Sequence, residues 1–357
     1  MSESVAAMAA RRAACTDSFL GDGLLQPADY LATIGTGVAP DLYGHGGVVA
    51  DLEQQIAELL DKPAAAFLPS GTMAQAATLR VHADARTSRT VLWHPHCHPA
   101  RNEDQAYSRL HGLVGREVGA AIRLLTLDDL RKVAESAAAL VLELPQRDLG
   151  GQLPSFDELT AQVGWARERG TATHLDGARL WEAAAGYGRS PAEIASLFDT
   201  VYVSFYKGIG ALPGCCVAGS AADIAQVKEW RHRLGGTLYA LWPAAASARN
   251  RLPVALAEMP ARMEHALAIA EALVEVPGVR PVPRVPQTPM MHLLLATTPE
   301  RYAQNARRLA DADRFWVWSS APATGDPAVV RVELSVGAAT LRHTPGAIAS
   351  ILARLIA

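Results

Sequence analysis

The sequence predicts an α/β protein, with a large domain on a mostly parallel sheet followed by a smaller C-terminal α+β domain. Three observations carry this. From about residue 50, helical and strand patterns alternate with short connections, as they do in parallel sheets covered by helices. Several strand candidates, among them "TVLW" and "ALVLEL", are apolar throughout rather than at every second residue, which marks strands buried on both faces. After roughly residue 240 the alternation gives way to a long Ala/Leu-rich helical stretch, a proline-rich turn and a few strands. The length of 357 residues suggests two domains. They divide as an N-terminal segment 1–30, a large domain 31–245 and a small domain 246–357, with the N-terminal segment free to pack on the C-terminal domain.

The elements follow in order. "DLEQQIAELLD" places Leu52, Ile56, Leu59 and Leu60 on one helical face. "AAAFL" is a short apolar strand, and "GTMAQAATLRVHADA" is helical. In "SFDEL", Ser155 and Glu158 stand at capping-box spacing. "TATHLD" reads as a strand, and "SPAEI" opens a helix with Ser190 as cap and Pro191 in the first turn. Thr200 to Tyr206 are almost all β-branched or aromatic, the composition of a central strand. The helical stretch after residue 240 is expected to be interrupted by its prolines. "MMHLLLA", a helix opened by "TPERYAQNARRLADA", and the strands "RFWVW" and "AVVRVEL" complete the small domain.

Composition excludes several classes. The net charge is −3 with signs interspersed, so no nucleic-acid or polybasic membrane surface is expected. No run of about 18 apolar residues is present for a membrane span. The N-terminus makes a poor signal peptide. The four cysteines include the vicinal pair Cys215–Cys216 and no CxxC, which fits a reduced, cytoplasmic protein.

Four features at strand ends could carry chemistry. Ser70-Gly71-Thr72 joins a strand to a helix, and small residues there offer free amides and a positive dipole end to a phosphate. Asp176 ends a strand in "THLDGARLW" and could pair with a cationic ring nitrogen. Lys207 follows the Thr200–Tyr206 strand among glycines, and burial there would make its amine a nucleophile. "WHPHCH" offers His94, His96, Cys97 and His98, either as metal ligands or as a ring-stacking or acid/base histidine. Each has a bland counterpart: an N-cap, a helix-capping aspartate, a snorkelling lysine. Taken together, a phosphate cradle, a carboxylate for a pyridinium nitrogen and a Schiff-base lysine are the protein's share of pyridoxal phosphate chemistry. A dinucleotide loop at "KGIGALPG" fails, because the spacing is not GxGxxG and no helix follows.

On "LYGHGGVVADLEQQIAELLDKPAAAFLPSGTMAQ", "HPHCH", "HLDGARLWEAAAGYG", "DTVYVSFYKGIGALPGCCVAGS" and "VVRVEL", the chain resembles the low-specificity L-threonine aldolase and β-eliminating lyase group of fold-type I pyridoxal phosphate enzymes. The resemblance implies a transferase-like fold with a seven-stranded, mostly parallel sheet. It also implies roles. Lys207 forms the Schiff base with pyridoxal 5'-phosphate, Asp176 pairs with the pyridine nitrogen, and His98 stacks on the ring and assists proton transfer. Ser70, Gly71 and Thr72 hold the phosphate. Arg179 and Arg331 grip the substrate carboxylate, with Thr16 helping from an N-terminal loop. Tyr43 and Arg233 resemble pieces that neighbouring subunits contribute to a shared site in a homodimer or homotetramer. The implied reaction cleaves a β-hydroxy-α-amino acid to glycine and an aldehyde. Two departures stand out. Gln146 occupies a substrate-site loop where these aldolases usually carry a histidine, next to Arg147. Tyr206 replaces the serine that commonly precedes the lysine. They keep β-elimination, racemisation or side-chain transfer open as alternatives, beside a non-catalytic binding module and a metal hydrolase.

Overall fold

A computed structural model describes residues 4–357. They form two compact units: residues 29–148 with 152–257, and the segment up to Ala28 with residues 149–151 and 258–357. The boundary falls within the helix Trp242–Ala272. No described helix is long and apolar enough to cross a membrane.

The larger unit is built on seven strands: β1 (Ala64–Leu68), β2 (Thr90–Trp93), β3 (Val114–Glu117), β4 (Ala139–Glu143), β5 (Ala172–Gly177), β6 (Thr200–Ser204) and β7 (Cys215–Gly219). Their order across the sheet is β1-β7-β6-β5-β4-β2-β3. β7 runs antiparallel to β1 and β6, and the remaining pairings are parallel. β5 and β6 are buried along their whole length, which is why their sequences do not alternate. β1 to β6 therefore point the same way, and their carboxyl ends share one edge of the sheet, where such sheets bind ligands.

Helix α1 (Gly47–Leu59) buries Val49, Leu52 and Ile56, and Leu60 is buried just beyond its end. Its entry needs glycine: Gly47 has φ +54°, and a Cβ there would lie 2.3 Å from the Pro40 carbonyl oxygen. Helix α2 (Gly71–Asp84) follows β1 after two residues. In helix Pro191–Ala195, Ser190 and Glu193 form a reciprocal capping box with Pro191 in the first turn. Ser155 makes only half of such a box. It accepts from the Glu158 amide, while the Glu158 carboxylate accepts from the Leu127 amide and from Gln162.

The smaller unit has the antiparallel strands β8 (Val279–Val282), β9 (Met290–Leu295) and β10 (Val330–Ser335), with β9 central. The helices Pro299–Asp313 and Pro345–Ile356 share a core with it, including Phe19, Leu293, Tyr302, Val332 and Leu352. Two expectations are corrected. The stretch after residue 240 is one continuous helix, Trp242–Ala272, despite Pro243, Pro253 and Pro260. Pro243 lies in the first turn, where its missing amide has no intrahelical partner to lose. Pro253 and Pro260 are exposed, so the carbonyls they leave can turn to water, while Leu252, Ala255, Met259, Ala266 and Ile269 hold the opposite face by burial. In "RFWVW", only Phe315–Trp316 is a strand, paired in parallel with Asp17–Ser18. Trp318 instead donates its indole N–H to the Glu333 carbonyl at 2.9 Å.

Candidate active site

The strand ends of the larger unit enclose a cavity of about 240 Å³ lined by Ser70, Gly71, Thr72, His98, Asp176 and Lys207, among others. Each is placed by a strand terminus. β1 ends at Leu68 and two residues carry the chain into α2. Ser70 takes the N-cap position in extended conformation, yet its side chain makes no cap hydrogen bond. The first-turn amides thus have no side-chain acceptor, and the positive end of a 14-residue helix faces the cavity. Gly71 keeps this corner open, since a Cβ would lie 2.4 Å from the Tyr202 hydroxyl. Lys207 follows β6 by three residues, with its Nζ 5.4 Å from the Tyr206 ring centroid.

Asp176, at the end of β5, is 2% exposed and accepts from the Ala178 amide at 3.2 Å. Its carboxyl pKa is raised, by burial first, with the nearby His98, that amide and Lys207 opposing the rise and Glu103 adding to it. A buried carboxylate in this position is suited to a cationic partner. His98 donates or accepts through Nδ1 with Glu103 Oε1 at 2.9 Å, which leaves Nε2 for the cavity that His98 lines. Glu103 raises the His98 pKa, burial opposes that, and Asp176 adds to the rise. Glu103 itself is almost wholly buried, and its Oε2 has no hydrogen-bond partner among the described residues.

The other residues singled out in the sequence lie elsewhere. Arg179 stands at the N-cap of helix Leu180–Tyr187 and does not line the cavity. Gln146 is buried, and its amide donates to Glu143 Oε2 at 3.1 Å and to the His96 carbonyl at 3.5 Å. The Arg147 amide donates to the other oxygen of Glu143, and its guanidinium meets Asp148. Tyr43 is half exposed, with its ring edge-to-face against Tyr239 at 5.4 Å. Arg233 is exposed and pairs with Glu229. Thr16 and Arg331 belong to the smaller unit, where both are exposed and Arg331 pairs opposite Leu294. The histidines of "WHPHCH" diverge. His94 bonds the carbonyls of Ala120 and Arg123, His96 lies 3.8 Å from Asp148, and Cys97 is buried. Among the described residues, no group of three or more His, Cys, Asp or Glu is disposed to hold a metal.

Sequence reasoning missed Gln75, Glu103 and Tyr202, which also line the cavity, and Glu143, which faces Asp176 in register on the neighbouring strand. Burial, first, and Asp176, second, raise the Glu143 pKa. Only Gln75 had a local signal, four residues after Gly71 and so on the same helical face.

The donor set fits a small phosphorylated aromatic aldehyde with a basic ring nitrogen. A helix end and the space kept by Gly71 suit the anion, Asp176 the ring nitrogen, and a primary amine the aldehyde. A family model described as β-eliminating lyase matches residues 29–296. The chain belongs to the β-eliminating lyase family. Low-specificity L-threonine aldolase 1 of Arabidopsis thaliana is 29% identical over 272 residues, covering 72% of this chain and 75% of that protein. Among solved structures, a candidate L-allo-threonine aldolase from Listeria monocytogenes superposes with a TM-score of 0.90 at 34% identity, covering 97% of both chains. A candidate aromatic amino acid β-eliminating lyase/threonine aldolase from Exiguobacterium sp. 255-15 gives 0.90 at 35%, covering 97% of this chain and 98% of that one. The β-eliminating lyase fold here is that of the fold-type I pyridoxal phosphate enzymes.

Proposed function

We propose that this member of the family is a pyridoxal phosphate-dependent aldehyde-lyase that cleaves a β-hydroxy-α-amino acid of the threonine type into glycine and an aldehyde. The observation that carries the reading is the meeting of Lys207, Asp176 and the uncapped start of α2 in one cavity. The substrate class is supported by the threonine aldolases to which the chain is similar.

Ser70, Gly71 and Thr72 would hold the phosphate, Asp176 the ring nitrogen and Lys207 the aldehyde carbon. When bound, the cofactor supplies an electron-withdrawing ring that stabilises negative charge at the substrate Cα. Burial raises the Asp176 pKa, with His98 and the Ala178 amide opposing it, and a cationic ring nitrogen beside it would favour the carboxylate and be favoured by it in turn. His98 holds one nitrogen against Glu103 and offers Nε2 to a proton in transit. In the cleavage the β-hydroxyl loses its proton, the Cα–Cβ bond breaks, the aldehyde leaves and Cα takes up a proton. The site is proposed to act in a cytoplasmic homo-oligomer, with Tyr43 and Arg233 facing a neighbouring copy and Arg179, Arg331 and Thr16 serving the substrate carboxylate.

One observation favours a second outcome. Gln146 spends its amide on Glu143 and the His96 carbonyl, and an amide is no base at neutral pH, so the residue that stands in the place of the histidine is itself no proton acceptor. That suits β-elimination or racemisation, for which the β-hydroxyl need not be deprotonated. Spectra before and after borohydride, followed by product analysis with L-threonine and L-allo-threonine, test both. A visible band bleached by borohydride and absent from Lys207→Ala is expected, together with acetaldehyde and glycine. A keto acid with ammonia, or an inverted amino acid, would replace the aldol reading. A protein that takes up no pyridoxal phosphate would overturn the cofactor as well.

A further inference from the structure

Beneath the cavity lies a hydrogen-bond chain that the mechanism does not use. Gln75 Oε1 lies 2.6 Å from His174 Nε2, His174 Nδ1 lies 2.8 Å from Thr200 Oγ1, and Thr200 Oγ1 lies 2.7 Å from His82 Nε2. All four residues are at most 2% exposed, and Gln75 lines the cavity. Gln75 stands one turn after Gly71 on α2. His174 stands two residues before Asp176 on β5, opposite Thr200 in register. The chain therefore surfaces between the proposed phosphate corner and the proposed ring-nitrogen partner.

Burial pushes the His174 pKa down to about 3 and that of His82 to about 4, so both rings are neutral near pH 7. A neutral imidazole has one N–H, and a hydroxyl in such a chain donates once. With the Thr200 proton donated within the chain, two self-consistent senses remain; a Thr200 oxygen accepting from both rings would leave that proton without a partner in the chain. In one, His82 donates to Thr200, Thr200 to His174 and His174 to the Gln75 oxygen, so the Gln75 NH₂ faces the cavity. In the other every donor reverses, and a carbonyl oxygen faces it. A cavity shaped for an anionic cofactor selects the first, and the placement of Gln75 Oε1 against His174 Nε2 agrees with it.

We propose that Gln75 is a further cofactor-holding residue, fixed as a hydrogen-bond donor by the His174–Thr200–His82 chain. The proposal rests on the pyridoxal phosphate reading. His174, Thr200 and His82 are positioning residues, acting through Gln75.

The test is titration of the apoprotein with pyridoxal phosphate, followed by absorbance, with apoprotein melting recorded for each variant. Gln75→Leu removes the donor and should weaken binding about 10- to 100-fold. Gln75→Glu keeps the size and the acceptor for His174 but turns an anionic oxygen to the cavity, so it should bind more weakly still. Thr200→Val cuts the chain and frees the Gln75 amide to invert, which should weaken binding several-fold. Variants that melt lower yet bind the cofactor as the parent does would mark the chain as structural only and overturn the proposal. Gln75→Glu binding as tightly as the parent would overturn the donor sense. Unchanged cofactor binding with a raised KM for the amino acid would move Gln75 to the substrate and overturn it equally. A parent protein that binds no pyridoxal phosphate would instead overturn the underlying reading, and this proposal with it.

Discussion

The cavity has a rim and a floor, and each contains a histidine whose pKa is shifted in the opposite direction. At the rim, His98 meets the Glu103 carboxylate, which raises its pKa. In the floor, His174 lies between Thr200 and Gln75, neutral hydrogen-bonding partners, and burial lowers its pKa. The distance from solvent is only part of the difference. A buried charge needs a charged partner, and the rim supplies one. The side-chain partners of the floor imidazoles, Thr200 and Gln75, are neutral, and burial outweighs the distant Asp223 and Asp199 to keep His82 neutral. The same residue type thus has its proton affinity raised in one place and lowered in the other.

The rim can be broken most severely at Lys207. Lys207→Ala should lose borohydride-stable attachment of pyridoxal phosphate, read as the mass added to the reduced protein, and turnover should fall to background. Attachment at undiminished yield would place the Schiff base on another lysine. His98→Asn comes next, with a loss in kcat of about 10²- to 10⁴-fold if His98 carries a proton. Glu103→Gln tests the partnership more gently. Glu103 is the main cause of the raised His98 pKa, so its loss should lower that pKa and move the acid limb of the kcat/KM profile to lower pH. A limb that stays in place would assign it to another group.

A smaller effect is expected at the phosphate corner. In Gly71→Ala the added Cβ meets the Tyr202 hydroxyl at 2.4 Å, and the hydroxyl or the helix start must give way. Overpacking of about 1–3 kcal/mol is typical, and its lower half, felt where the cofactor binds, corresponds to roughly 5- to 30-fold weaker cofactor binding. Tyr202→Phe in the same chain removes the clashing atom and should restore part of the affinity. Strict additivity of the two substitutions would deny that they touch.

These contrasts explain what the sequence made legible. β2 and β4 could be read because strands buried on both faces are apolar throughout, and β6 because it is almost all β-branched or aromatic. Lys207, Asp176 and Gly71 could be read because each stands at the end of a strand or within a few residues after it, and a parallel sheet brings such ends together. Glu103 and Tyr202 could not. Their roles depend on where other side chains, His98 and Gly71, are carried by the fold. The direction of the Gln75 amide depends on Thr200 and His82, from different elements. The prolines of Trp242–Ala272 misled for a related reason: local propensity carries no information about which face of a helix meets water. Gln146 was expected at the substrate; its amide hydrogen-bonds Glu143 at the end of β4 and the His96 carbonyl, partners that its place in the sequence did not reveal.

The floor offers the subtlest test, in stability rather than turnover. The unfolded chain protonates a histidine near pH 6.5, whereas folded His82 and His174 resist protonation down to about 4 and about 3. Between those limits the unfolded state binds more protons, so folding stability rises with pH and is lost as pH falls below about 6.5. Each histidine contributes a slope of about 1.4 kcal/mol per pH unit within its window. Denaturant unfolding of the apoprotein at a series of pH values reads this slope directly. His174→Gln removes one titrating group and should flatten the profile by one proton's worth, whatever its effect on stability at pH 7. An unchanged slope would mean that His174 protonates as readily in the fold as in the unfolded chain. The floor would then carry charge, and its difference from the rim would vanish.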